Sequence, residues 1–421
     1  KFQLEDPHFY VLEFVQAAHL LDATSIHFAI DADEMEVTFD GLQLVREELE
    51  ELYSAAFARR TDRRKQALRH IALGMNAARG LSPARVLVEV GGDTAGAGIR
   101  LTSRPEEDDV IEDASDLEQG RTRIYLRESF RTRHFIEFFQ SLQGETAEKT
   151  ALRERARYSH IPIFLDGEQI STGPVLHDGD FAIEHAFATE HERGVVGFIP
   201  DSDDYSTVTV LQHGVAVVKH VAPSSLVRAE IIVDSARLSK NLSQSAFVED
   251  EAWRELLGKF LPLQLHDALR AYFDERWSDP EGIRSVPLEP EFSWINQLIV
   301  SLSDEVEAAR ARGLALPAPT AALARKLEIF RVIPLAHAAS ADRAERVISI
   351  ADYRKTLDSR RVLAYSSKDF RELDVSDFGP VVFGDRESTW WLARWLDIPH
   401  KDVGELLARR HTRQQNEARW R

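Results

Sequence analysis

The pattern of apolar and polar positions near the start of the chain predicts a helix followed by two strands. Apolar side chains recur at helical spacing between Leu12 and Leu21, and residues 22–25 break that period. Apolar and polar side chains then alternate over 26–30 and again over 35–38, which is typical of half-buried strands. A turn at 39–41 ends the second strand. The predicted unit is therefore helix, strand, hairpin, strand and turn.

The order of strands and helices, together with the motifs described below, predicts a two-layer α/β sandwich as far as about residue 170. We expect a mostly antiparallel sheet with helices on one face, rather than a parallel, doubly wound sheet. Asp166-Gly167 is a strong hairpin signal after the last strand, and the acidic segment 105–118 predicts an exposed loop. Helices are predicted at 44–81, at 135–142 and in a segment ending at Tyr158, and strands at 84–101, 121–126 and 160–165.

A length of 421 residues suggests two or three domains. Polar and proline-rich segments favour an N-terminal domain at 1–172, a middle β-α-β domain at 173–325 and a small C-terminal α/β module at 326–421. The expected fold class is α/β of the α+β type. Beyond residue 173, strands are predicted at 194–199, 206–221, 330–334, 362–365 and 381–383, and helices at 249–277, 292–312, 350–357 and 390–396.

Composition narrows the possible classes of function. The chain has 70 acidic and 52 basic residues and a net charge of −18, which argues against a nucleic-acid partner because phosphate recognition needs a basic surface. It has no cysteine, so disulfides, thiolate metal sites and cysteine nucleophiles are excluded. No apolar run approaches the roughly 20 residues that span a bilayer. We therefore expect a cytoplasmic protein with no membrane partner.

Two motifs in the first unit resemble those of the GHKL ATPases, which include gyrase, histidine kinases, MutL and the heat shock protein 90 chaperones. The helix reads E-F-V-Q-A-A-H-L-L-D-A where the family has E-L-x-x-N-A-x-D-A. Glu13 takes the place of the family's general base, and Ala17 that of the Asn that holds magnesium. The turn reads F-D-G-L-Q where the family has D-x-G-x-G. Phe39 replaces the Asp that reads the adenine amino group, whereas Gly41 is kept.

Further positions follow in the family's order. The run L-R-H-I-A-L-G-M-N-A-A contains Gly74, where the family has a glycine that starts a helix beneath the phosphates; this glycine could also simply permit close packing. The segment around Thr122 resembles the family's closing strand. The resemblance implies Glu13 as the catalytic residue, no metal ligand, and a cofactor site made of Asp40, Gly41, Gly74, Asn76 and Thr122.

A third motif lies in the predicted middle domain. The sequence V-D-S-A-R-L-S-K-N-L-S-Q-S, from Val233 to Ser245, resembles V-D-S-x-D-L-P-L-N-x-S-R-E of the heat shock protein 90 (HtpG-type) chaperones. The family's Arg, which reaches the γ-phosphate of ATP, falls on Gln244, and glutamine has no charge to offset a developing phosphate charge. This motif follows a GHKL-like domain, so the chaperone family is our first choice, over residues 10–245.

Two further groups of residues, a basic cluster and the histidines, bear on possible binding sites. The basic cluster Arg59, Arg60, Arg63, Arg64 and Lys65 is either a solvated helix face or an anion-contacting lid, because the family's ATP lid lies at this point of the chain. The 15 histidines show no metal-ligand spacing. We expect His134, His160 and His220 to stand alone.

The replaced positions predict an eroded ATP site. Glu13 is then either a general base or a capping or pairing residue of a core helix, and Phe39 is expected to fill a vacant pocket. The expected function is a scaffold or chaperone-like regulator that binds a protein partner or client and needs no cofactor. The alternative is a divergent chaperone ATPase that binds ATP and magnesium through Asp22, Asp40 and Asn76 and hydrolyses ATP slowly. The oligomeric state stays open.

Overall fold

A computed structural model shows a mixed α/β protein with several sheets, as the sequence predicts. The helix expected at 135–142 lies outside the residues that the structure describes. Those residues are 4–31, 33–55, 62–94, 96–128, 145–176, 181, 183–198, 205–223, 228–241, 243–277, 291–328, 331–334, 347–357, 362–368 and 380–419.

The first sheet contains β1 (Ile26–Ile30), β2 (Glu34–Phe39), β3 (Pro83–Gly91), β4 (Gly98–Ser103), β5 (Val110–Asp113), β6 (Thr122–Glu128), β7 (Ile163–Leu165) and β8 (Glu168–Gln169). Their order is β5-β4-β3-β6-β2-β1-β7-β8. Among these strands only β1 and β7 pair in parallel, so the prediction of a mostly antiparallel sheet is confirmed. The acidic segment 105–118 is not wholly a loop, because Ile111 packs against the core and β5 pairs with β4 at the sheet edge.

Helices cover one face of this sheet. They are α1 (Tyr10–Leu20), α2 (Arg46–Glu50), α3 (Leu52–Ala55), α4 (Arg63–Arg79) and α5 (Ala147–Arg155). Apolar residues of α1 and α4 share one core cluster with inward-facing residues of the strands, such as Val37 and Val88. The opposite face carries ion pairs instead: Arg123 bridges Glu36 and Glu89, and Arg100 also pairs with Glu89. Apolar and charged side chains thus alternate across the sheet as the strand period requires.

A second sheet follows, with β9 (Ile183–Ala188), β10 (Glu192–Phe198), β11 (Tyr205–Gln212), β12 (Val215–Pro223) and β13 (Ala229–Ser235) in the order β12-β11-β13-β10-β9. The strand predicted at 206–221 is in fact two strands joined by a tight turn. His213 and Gly214 form this turn with φ of 49° and 78°, which matches the two-residue turn that favours antiparallel hairpins.

The rest of the chain contains helices α6 (Glu251–Glu255), α7 (Leu261–Trp277), α8 (Glu291–Ala311), α9 (Ala318–Leu327), α10 (Ile350–Thr356), α11 (Arg386–Leu396) and α12 (Gly404–Arg419). Its strands are β14 (Arg331–Pro334), β15 (Val347–Ser349), β16 (Leu363–Ser366), β17 (Val381–Phe383) and β18 (His400–Asp402). Parallel β17 and β18 flank β16. One apolar cluster extends from Ile183 to Trp395, so the second sheet and these later elements share a core.

Helix α1 is the most enclosed element of the first part of the chain. Every one of its 11 residues is buried, including Glu13, Gln16 and His19. A helix that is buried all round needs neighbours on every side; α4 packs along it, and it also contacts α5 and β12. The three polar side chains must therefore find their partners inside the protein.

The turn after β2 yields a test of this packing. Gly41 has a φ of 107°, and an added Cβ would stand 2.3 Å from the carbonyl oxygen of Leu21 at the end of α1. Gly41→Ala should therefore lower the free energy of unfolding by about 2–4 kcal/mol, through backbone strain and overpacking. Gly167→Ala is the matched control, since Gly167 has a φ of 84° but no atom within 4 Å of the added carbon. It should cost only about 1 kcal/mol. Equal losses in urea unfolding would contradict this account.

Candidate functional site

Glu13 lies in a buried polar cluster between α1, α4 and the loop that follows β13. Its Oε2 accepts a hydrogen bond from Nδ1 of His70 at 2.7 Å, and its Oε1 lies 3.7 Å from Nζ of Lys240. The same ammonium group donates a hydrogen bond of 2.8 Å to Oε1 of Gln16, about one turn further along α1. The side chains of Glu13 and Lys240 are only 3% and 2% exposed, so this ion pair is shielded from water.

The charges of this cluster set its protonation state at neutral pH. Burial alone would raise the pKa of Glu13, but Lys240 and His70 outweigh burial and hold that pKa below its ordinary value. Burial lowers the pKa of His70 although Glu13 opposes this, so the imidazole is neutral and donates its Nδ1–H. Glu13 is therefore an ionised carboxylate with internal partners, and it is poorly placed to accept a proton from water.

Gly74 lies in the middle of α4, so the expectation that it begins a helix beneath phosphates is wrong. An added Cβ would stand 2.5 Å from Cε1 of Phe14, whose side chain is fully buried. The missing side chain lets α4 approach α1 closely, and the Phe14 ring occupies the space between the two helices. Close packing, the second interpretation of this glycine, is what the structure shows.

Asp40 and Gly41 hold a turn together. Oδ1 of Asp40 accepts hydrogen bonds from the backbone N–H groups of Thr24 at 2.7 Å and Ser25 at 3.2 Å. Partial burial would raise the pKa of Asp40, but these bonds and one from the Thr24 hydroxyl hold it below its ordinary value. The carboxylate thus stabilises the loop between α1 and β1. This structural role is enough to explain why an aspartate lies at position 40.

The remaining candidates lie in different surroundings. Thr122 is buried at the start of β6, where it pairs in register with Phe39 of β2. Phe39 is itself fully buried in the core cluster. Asn76 lies on the exposed side of α4. The structure therefore brings Phe39 and Thr122 together at one end of the sheet and places Asn76 on the surface.

Asp22 and two arginines of the basic cluster, Arg63 and Arg64, have local partners. Asp22 forms an ion pair of 2.6 Å with Arg63, and Glu48 forms one of 2.8 Å with Arg64. Both pairs are partly exposed, which favours the solvated-face interpretation of this cluster over an anion-binding one. Arg59 and Arg60 lie outside the described residues.

A narrow cleft lies between α1, α5 and the loop after β13. Its walls include Leu12, Glu13, Gln16, Arg155, Lys240 and Gln244. The cleft has room for one or two water molecules. Gln244, where the resemblance places a phosphate-contacting Arg, therefore shares a cleft with Glu13, but this cleft does not have the volume of a nucleotide.

Two contacts in this region, one made by His160 and one made by Lys240, were not predicted from the sequence. His160 does not stand alone, because its ring centroid lies 4.6 Å from that of His19. His19 also contacts the hydroxyl of Ser159, with 2.8 Å between Nε2 and Oγ. Lys240 was available as a signal, since it lies inside the motif that resembles the chaperones' phosphate-contacting loop. Of the other two histidines, His220 is exposed and His134 lies outside the described residues.

Within the described ranges, no set of three or more His, Asp or Glu side chains is arranged to hold a metal ion. The described helices likewise include none with the length and apolar character needed to cross a membrane.

The buried pair predicts a large cost for losing one partner. Lys240→Met leaves the charge of Glu13 buried beside a neutral group, so we expect it to lower the free energy of unfolding by about 3 kcal/mol. Adding Glu13→Gln should recover part of this loss, because the uncompensated charge is then gone. Lys355→Met is the control, since Lys355 and its partner Asp352 are 76% and 57% exposed, and it should cost under about 0.5 kcal/mol. Strictly additive losses in urea unfolding would exclude this coupling.

Comparison with known proteins does not assign the chain to a family. No protein-family model matches the sequence, and no curated protein is significantly similar to it.

Proposed function

We propose that this chain is a degenerate relative of the GHKL ATPases, nearest to the heat shock protein 90 chaperones, that works without nucleotide. It acts as a scaffold or chaperone-like regulator that binds other proteins. The observation that carries this proposal is the state of Glu13. The carboxylate at the position of the family's general base is buried and paired with His70 and Lys240.

The arrangement of the third motif supports the family part of this proposal. In the chaperones this motif reaches across to the ATP-binding domain. Here the corresponding loop also reaches the first part of the chain, where Lys240 contacts Glu13 and Gln16 of α1. The order of the motifs along the chain and the mostly antiparallel sheet under a helical layer are consistent with the same origin.

Three replacements support the absence of turnover. Ala17 has no side-chain oxygen for magnesium, whereas magnesium prefers oxygen ligands. Phe39 is buried where an acceptor for the adenine amino group is needed, and Gln244 lacks the charge of an arginine. Phe14 fills the space between α1 and α4. The proposed role therefore rests on binding surfaces rather than on hydrolysis.

The proposal predicts that nucleotide binds only weakly. Each lost charge or amide contact costs about 1–3 kcal/mol, and each 1.4 kcal/mol is about tenfold in affinity. At about 2 kcal/mol each, three such losses take a micromolar site beyond about a millimolar. Calorimetric titration with magnesium and a non-hydrolysable ATP analogue should show no binding below that concentration, and a large excess of ATP or ADP should leave the melting temperature unchanged.

The opposite result would favour the divergent ATPase. Micromolar binding that requires magnesium and is lost in Asp40→Asn would contradict the proposal and locate the site. Asp397→Asn is the control for that variant, because Asp397 pairs with Arg310 and is 71% exposed.

A second measurement addresses the binding of other proteins. An excess of this chain should reduce the light scattering of a heat-denatured enzyme, and ATP with magnesium should not change the effect. The reason is that no nucleotide-driven step is needed if the binding surface is permanently available. An unrelated protein of similar net charge controls for nonspecific repulsion. Suppression that needs ATP, or none beyond the control protein, would count against the proposed role.

A further inference from the structure

A group of histidines lies where α1 meets the turn between β11 and β12. His19 of α1 is only 5% exposed, and its ring contacts that of His160. The tip of the turn presses against the same ring, because a Cβ added to Gly214 would stand 2.3 Å from Nε2 of His19. His213, also in the turn, lies 6.1 Å from His70 between ring centroids. Four histidines thus lie along a single contact between the first and second sheets.

The charged groups around this contact are mainly positive. The charges of Arg63 on α4 and Arg193 on β10 lower the pKa of both His19 and His160. The charge of Arg69 lowers the pKa of His70.

The negative groups around the contact each have a partner already. Glu13 faces Lys240 and His70, Asp22 pairs with Arg63, and half-buried Asp234 of β13 accepts the N–H of Gly214 at 2.8 Å.

We propose that the contact between α1 and the β11–β12 turn is a pH-sensitive joint, closed while His19 is neutral and opened by protonation in mildly acidic solution. The physical reason is that a proton on His19 would place a positive charge on a side chain that is only 5% exposed, near the exposed guanidinium groups of Arg63 and Arg193. In the open state, water can hydrate the imidazolium. The inference rests on the proposed function, because it supplies a nucleotide-independent means of rearranging the scaffold.

The direction of the pKa values supports this joint. Burial first, then His160, His213 and the two arginines, lower the pKa of His19 well below its ordinary value. Burial and the same arginines lower the pKa of His160 to about 4. His160 keeps contact with solvent, so screening weakens its effect and His19 dominates. A histidine whose pKa is lowered in the closed state favours closure above its free pKa, and this preference is lost as pH falls below about 6.5.

Protonation of the other titratable groups at the contact also opposes the closed state, or affects it only weakly. Burial lowers the pKa of His70, so its protonation also opposes closure. Burial raises the pKa of Asp234, although the Gly214 N–H and Arg193 oppose this rise; protonating Asp234 weakens the hydrogen bond that holds the turn, because a neutral carboxyl is a weaker acceptor. An apolar cluster that includes Tyr158, Leu211 and Ile232 resists opening, so the change is a shift in an equilibrium.

Backbone hydrogen exchange of the intact chain without nucleotide measures that equilibrium. After correction for intrinsic rates, protection of peptides covering α1 and the β11–β12 turn should fall about tenfold between pH 7.5 and 5.5, the linkage expected for one histidine with a free pKa of 6.5. Protection of β16 should stay constant. In His19→Gln, which keeps a polar atom near Ser159, the tenfold change should disappear, whereas the exposed control His220→Gln on β12 should retain it.

Each outcome decides the proposal. A pH response that is unchanged in His19→Gln, or no response in the parent chain, overturns it. Equal loss of protection in β16 also overturns it, because the chain is then unfolding as a whole. Should His19→Gln fail to fold, His19→Asn takes its place and must likewise remove the response. Nucleotide binding in the calorimetric titration would refute the proposed function and leave this result unaffected, so the two failures are distinguishable.

Discussion

The ion pair between Glu13 and Lys240 is the contact on which the arrangement of the first and second sheets depends. A buried pair loses much of its Coulomb energy to desolvation, so its main effect is to make any other arrangement unfavourable. Lys240 also binds Gln16, 224 positions away in sequence. Two neighbouring turns of α1 are thereby fixed against one loop.

The same pairing shows how the surroundings of Glu13 are held together from within. A general base needs a free lone pair directed at water, but both oxygens of Glu13 face internal groups, His70 and Lys240. Phe14 then packs on Gly74 where an open pocket would have to separate α1 from α4. Each feature stabilises the closed packing of α1 against α4.

Sequence reasoning succeeded where the determining interactions are local. Alternation and helical spacing predicted β1, β2 and α1 because those periods depend only on neighbouring residues. It failed where two distant segments supply one contact. Nothing near His160 indicates that its ring meets His19, and nothing near Gly74 indicates that Phe14 fills the space above it. The resemblance did point to the loop containing Lys240, but not to the contact of Lys240 with α1.

Glu13 and His19 show how one electrostatic environment determines two opposite protonation states. Both lie buried on α1, and burial disfavours the charged form of each. Nearby positive groups then affect the two residues differently. Lys240 overcomes the effect of burial on the pKa of Glu13, whereas Arg63 and Arg193 lower the pKa of His19 further. The contact between the sheets is therefore matched to one charge distribution, with an ionised carboxylate at one end of the helix and a neutral imidazole at the other. A proton that enters at either position breaks the match, and at His19 it does so at the milder acidity, because the free pKa of histidine lies about two units above that of glutamate.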